Sequence, residues 1–188
     1  MITTIYFFLL ILYSLIKIVV QTKNKNIMKK SLFIFLLAII TTASHSQTDK
    51  GIIINGVTWA TANVGADSPE AYGNYFTFQE AKSACPKGWK LPSRDDIKSL
   101  KDTKSEWTTR TQMQTNGRRF GKNKNSIFLP AAGYDNNHGA FSIGKFGYYW
   151  CITERNKSNA HHLYFGIGKV NLGSNDKKNR YSVRCVKE

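Results

Sequence analysis

The chain has 188 residues, with 27 Lys and Arg against 12 Asp and Glu, and it is not of one kind along its length. Every acidic residue lies at or beyond Asp49, so residues 1–46 form a basic, strongly apolar leader, and 47–188 read as globular sequence sized for one domain with one core. This later part carries 22 basic and 12 acidic residues, a net +10 that would draw any polyanion, but export excludes intracellular nucleic acid and no nucleic-acid partner is expected.

Two apolar stretches make up the leader. Ile5–Val20 approaches the length of a short membrane span but is interrupted by Lys17. The second starts afresh at Met28, with Lys29 and Lys30 leading into Ser31–Ile40 and then small and polar residues through Ser46. A basic start, an apolar stretch of about ten residues and a small-residue exit describe a secretory signal. Residues 28–46 are therefore read as a signal peptide cleaved after Ser46, and 1–27 as upstream translated sequence. The competing reading is a two-segment membrane anchor, in which the membrane is touched only through an uncleaved leader. No Cys follows the apolar stretch, which leaves a lipidated terminus without support. The expected location is secreted or cell-surface.

Within the domain, Ile52–Ile54 and Val57–Ala60 flank Asn55-Gly56, the dipeptide that best accepts the two positive φ angles of a tight hairpin turn. A polar loop follows over 67–75. Thr77-x-x-Glu80 is a capping box opening a short helix to about Ala84, which Pro86-Lys87-Gly88 stops. Ser93-x-x-Asp96 heads a second helix with Ile97 and Leu100 facing inward, and Trp89 and Leu91 between the helices are expected in the core. Beyond Trp107 the pattern is strands and turns. Ile127–Pro130 reads as a strand, Asp135–Gly139 as a turn cluster and Tyr148–Thr153 as a central strand. His162–Gly166, Lys169–Asn171 and Tyr181–Val186 read as further strands, with polar loops at 121–125 and 174–179.

Three cysteines remain to be placed. In an exported protein two of Cys85, Cys151 and Cys185 should pair. Cys85 ends the first helix and Cys185 lies in the last strand, whereas Cys151 sits in an apolar strand and reads as a buried free thiol. No CxxC or close Cys/His spacing suggests a metal, and His161-His162, adjacent on a strand, point to opposite faces. Neither metal nor cofactor is expected.

Five ordered blocks carry a family resemblance: Gly56–Gly65 (GVTWATANVG), Cys85–Ser93 (CPKGWKLPS), Leu129–Tyr134 (LPAAGY), Gly147–Glu154 (GYYWCITE) and Ser182–Val186 (SVRCV). They resemble the Fibrobacter succinogenes major paralogous domain, abundant on the surfaces of Bacteroidetes-type bacteria, across nearly all of 51–188. The resemblance implies an α+β, C-type-lectin-like fold, with two short helices, a small twisted antiparallel sheet and long loops. It also implies that a Cys ending an early helix joins one in the last strand, which agrees with a Cys85–Cys185 bridge. Cys151 departs from the family pattern, which usually has Ser there.

On this reading the domain is a non-catalytic binding module for an extracellular glycan or surface protein. The candidate contacts are Tyr134, Asn136, Asn137, His138, Arg155 and Lys157, all in expected loops. The calcium-binding triplets of sugar lectins are absent, so calcium is not predicted. An oxidase of the formylglycine-generating kind would need a close pair of reactive cysteines, and only Cys151 lies outside the expected bridge; no catalytic residue is assigned. A structural subunit of a surface layer or appendage is the remaining alternative.

Overall fold

The computed structural model describes residues 49–188 apart from positions 114 and 137. The upstream segment and signal peptide expected over 1–46 lie outside the described residues. Among the described residues no helix is long and apolar enough to cross a membrane.

Strands β1 (Ile52–Ile54) and β2 (Val57–Trp59) form the expected hairpin, with Ile54 opposite Val57 and positive φ of 49° at Asn55 and 82° at Gly56. Helix α1 (Phe78–Ala81) begins at the Thr77 capping box but ends after one turn, short of Ala84. After β3 (Trp89–Lys90), helix α2 (Arg94–Lys101) starts at Ser93, whose Oγ accepts the Asp96 N–H while the Asp96 carboxylate accepts the Ser93 N–H. Its inner face buries Ile97 and Leu100 as expected. Leu91 is buried, and Trp89 only half-buried.

The remainder is almost all strand. β4 (Ser105–Thr108), the one-turn α3 (Arg110–Met113), β5 (Gly117–Lys122) and β6 (Asn125–Pro130) precede the short pair β7 (Tyr134–Asp135) and β8 (Ala140–Phe141). Then come β9 (Gly147–Glu154), β10 (Asn159–Phe165), β11 (Val170–Asp176) and the closing β12 (Val186–Lys187).

The architecture corrects the α+β expectation. Strand accounts for 42% of the structure and helix for 11%, with only α2 longer than one turn. There is no single small sheet carrying the helices. Among the described residues there are four separate antiparallel sheets, ordered β1-β2-β12-β3, β11-β10-β9, β4-β5-β6 and β7-β8. The C-type-lectin-like description goes with it: a capping box marks where a helix starts and says nothing of its length, so two boxes gave the helices more weight than their twelve residues carry.

Three strand expectations also change. Tyr148–Thr153 lies in β9, an edge strand rather than a central one, its outer side held by isolated bridges from Tyr149 to Ser182 and from Gly147 to Gly133. Of Tyr181–Val186, only Val186 enters a strand; Tyr181 and Ser182 make single bridges. β11 runs on to Asp176, into the segment read as a loop.

Alternation along β9 splits its side chains between two apolar clusters. Tyr149 and Cys151 join Leu163 and Phe165 of β10 in a core with Ile97, Leu100, Phe120 and Trp59. Trp150 joins Phe78, Leu91, Ala160, Tyr181 and Val183 on the other side. The β9–β10–β11 sheet therefore has one face closed by α2 and an opposite face only partly covered.

Candidate functional site: an aromatic sheet face

The partly covered face is built by strand register. Tyr148 lies opposite Tyr164, which lies opposite Asn171; one step along, Trp150 lies opposite His162, which lies opposite Gly173. Since alternate residues share a face, these two rows are neighbours on one surface. Trp150 and His162 are buried, while Tyr148 and Tyr164 are half-buried and Asn171 is exposed.

Further rings extend the upper row. Tyr148 and Tyr164 have centroids 5.0 Å apart, and Phe146 stacks on Tyr164 at 5.4 Å. Tyr134 meets Tyr148 edge-on at 5.5 Å and stacks with Phe141 at 5.8 Å. Phe141 itself is 43% exposed. The ammonium of Lys169 lies 4.9 Å from the Tyr164 centroid. The result is a run of five partly accessible rings rimmed by an amide and a cation.

Burial raises the pKa of the Tyr148 phenol, and the neighbouring Tyr164 and Tyr134 add to the shift. This phenol stays protonated at neutral pH and can donate and accept hydrogen bonds. The face thus offers flat apolar area with a polar edge. Such a surface can offer stacking and hydrogen bonding to a ligand.

Beneath it, His162 is 5% exposed, packed 5.0 Å from the Tyr181 ring and under Gly173, where a Cβ would come within 2.8 Å of its Nε2. Its Nδ1 has no partner among the described residues. Burial, and secondly the charge of His161, lower its pKa to about 4. The folded imidazole resists a proton that the unfolded chain takes up near pH 6.5, so acid favours unfolding. This stability is whole above about pH 6.5 and is lost as pH falls towards 4, by roughly 3 kcal/mol in all. Urea unfolding should therefore give a lower stability at pH 4.5 than at pH 7.5, and His162→Gln should flatten most of that slope. Glu154 and Asp102, whose lysine partners hold them near 2, lose their contributions only at lower pH. An undiminished slope in His162→Gln would show that the acid sensitivity has another origin.

The six residues singled out from sequence do not form one site. Tyr134 belongs to the aromatic run. Asn136 is half-buried, its Oδ1 accepting the His138 N–H at 3.1 Å in a local turn, and the His138 side chain is exposed. Asn137 lies outside the described residues. Arg155 and Lys157 sit beyond the far end of β9, where Arg155 donates to Ser174 Oγ at 2.7 Å and the Lys157 carbonyl accepts from Lys177 at 3.0 Å. Seven residues of extended chain, about 23 Å at ~3.3 Å each, separate Tyr148 from Arg155. Tyr148, Tyr164, Phe146, Phe141, Lys169 and Asn171 were missed, although period-2 alternation in GYYW and HHLYF already puts Tyr148 with Trp150 and His162 with Tyr164.

The sequence blocks are otherwise spent on the fold. Cys85 and Cys185 form a disulfide, and Cys151 is a buried free thiol, both as expected. Asn63 of the first block and Arg184 of the last are buried and hydrogen-bonded to each other at 2.9 Å. Asn63 also donates to the Tyr149 hydroxyl, which in turn donates to the Pro130 carbonyl at 2.8 Å. Residues from four blocks thus meet in one buried polar network. No curated protein and no solved structure matches the chain. The family model for the Fibrobacter succinogenes major domain matches residues 47–187, spanning all five blocks and the network they build. The chain belongs to that family.

Proposed function

We propose that this domain is a non-catalytic, secreted or cell-surface binding module that holds an extracellular glycan against the aromatic face of the β9–β10–β11 sheet. The observation that carries the reading is the run Phe141, Tyr134, Tyr148, Tyr164 and Phe146, which stays partly accessible although Tyr134 and Tyr148 also pack against the second core and Tyr148 stacks on the buried Tyr181 at 5.1 Å. Aromatic rings present flat faces to the C–H surface of a pyranose, and the exposed Asn171 amide beside Tyr164 supplies a donor and an acceptor for hydroxyls.

A non-catalytic role is supported by the cysteines. Two are joined, and the third is 0% exposed, its thiol donating to the His161 carbonyl at 3.3 Å with a pKa raised by burial. Paired thiol chemistry would need a second reduced cysteine beside it.

The test is a glycan array with the purified protein, with and without chelator and at two salt concentrations. Binding that survives chelation is expected, and Tyr164→Leu, which keeps the residue apolar, should weaken it about tenfold, or ~1.4 kcal/mol. Tyr164→Leu binding as tightly as the unmodified protein would move the ligand off this face. No glycan binding at all, with self-association through the exposed Phe141 and Ile143, would favour a structural surface subunit instead.

A further inference from the structure

We propose that the sugar taken by this face is anionic, a uronate being the simplest case, and that Lys169 reads its charge; this rests on the glycan reading above.

The argument is one of charge distribution along the β9–β10–β11 sheet. At its far end acids and bases neutralise one another. Glu154 bridges Lys82 at 2.9 Å and Lys177 at 2.8 Å, and Asp176 closes the ladder opposite Asn159. At the aromatic end Asp135, next to Tyr134, faces Arg180 at 3.9 Å, and two lysines are in excess. Lys169 and Lys145 are both exposed, and neither takes part in an ion pair among the described residues. The Lys145 carbonyl lies beside Gly166, whose N–H donates to the Lys169 carbonyl at 3.0 Å. The two lysines therefore emerge from neighbouring backbone, Lys145 next to Phe146 in sequence and Lys169 over the Tyr164 ring. Asp176 is six residues up β11 from Val170, about 20 Å away at ~3.3 Å per residue, beyond effective reach in physiological salt.

Lys169 is also the lysine already over a ring of the run. An exposed cation–π contact is worth only about 0.5–1 kcal/mol, and the stem is flexible. A pyranose stacking on Tyr164 can displace the ammonium to the rim of the ring, where a carboxylate on that sugar would meet it. Asn171, across from Tyr164, would take the hydroxyls. A neutral sugar gains the stacking alone.

The experiment compares oligomers of galacturonic, guluronic and mannuronic acid, each with its fully methyl-esterified form, by calorimetric titration of the full protein. Esterification removes the charge and keeps the ring. At least one acid is expected to bind fivefold or more tighter than its ester, the size of one charge-assisted hydrogen bond near the surface. Lys169→Gln should erase that difference, so that the acid binds no tighter than its ester. Lys124→Gln, an exposed lysine on the β5–β6 turn, lowers the net charge equally and should preserve it. The inference is overturned if acids and esters bind alike, or if Lys124→Gln costs as much as Lys169→Gln, since the net charge would then suffice. Binding of neutral glycans alone, still lost in Tyr164→Leu, would overturn it and leave the glycan reading standing. Failure of every glycan would remove both.

Discussion

Arg184→Met is expected to destabilise the domain by roughly 3–5 kcal/mol, a large part of the 5–15 kcal/mol that holds a domain of this size together. Arg184 is 1% exposed, and its hydrogen-bond acceptors among the described residues are an amide oxygen and backbone carbonyls. Its guanidinium donates to Asn63 Oδ1 at 2.9 Å, to the Ala60 and Thr61 carbonyls at 3.1 and 2.9 Å, and to the Phe128 carbonyl at 3.1 Å. Burial pulls its pKa down to about 10, so it stays charged at neutral pH. These bonds tie the chain after β2, the strand β6 and the C-terminal segment to one planar group. Methionine fills much of the same volume but takes the donor from three buried acceptors and one part-buried one, each buried loss costing about 1–3 kcal/mol before relaxation.

Arg184→Lys separates geometry from charge. An ammonium keeps the charge but has three donors on one atom, where the guanidinium spreads five over a rigid fork. It cannot reach four acceptors on two separate segments at once, and about 2 kcal/mol or more should still be lost. Urea unfolding of both variants reads this directly. A lysine variant as stable as the parent would mean that the positive charge alone is needed, and that the four hydrogen bonds contribute little.

The features legible in the sequence are those in which a few adjacent residues decide the backbone. Asn55-Gly56 sets its own turn, and Thr77 and Ser93 cap their own helices through bonds that span three residues. The aromatic face was harder to see because it exists only once β9, β10 and β11 are in register. Tyr164 and Asn171 are neighbours across a hairpin, but Tyr134 reaches Tyr148 from a different sheet. Polar loop residues such as Asn136 and Lys157 draw attention in a sequence, yet the first is occupied with its own turn and the second lies beyond the far end of β9. The same limit explains β12. Its two residues pair with Trp59 on one side and with Trp89 and Lys90 on the other, and no local pattern in Val186-Lys187 announces a strand with two partners. Nothing local marks Arg184 as buried, for the same reason: its acceptors come from segments 56 to 124 residues away.

Removing the Cys85–Cys185 bridge should cost about as much as losing Arg184. It closes a separation of 100 residues, which on the chain-entropy model gives about 4–5 kcal/mol. The bridge also packs in the second core cluster beside Trp89 and Leu91, so its two sulfurs contribute burial as well. In the double variant Cys85→Ser/Cys185→Ser the urea midpoint should fall accordingly, while a shift below about 1 kcal/mol would mean that the bridge only decorates a fold the cores already secure. Cys151 supplies an internal check on this comparison. Its thiol is buried and bonded to the His161 carbonyl, and burial raises its pKa, so little thiolate is available for attack. The oxidised native protein should resist iodoacetamide, take up one label per chain in urea, and take up three after reduction in urea. Either single variant, Cys85→Ser or Cys185→Ser, should refold worse than the double one, because it leaves an unpaired partner free to capture Cys151 while the chain is open. Equal refolding yields for single and double variants would show that Cys151 is buried before any wrong pair can form.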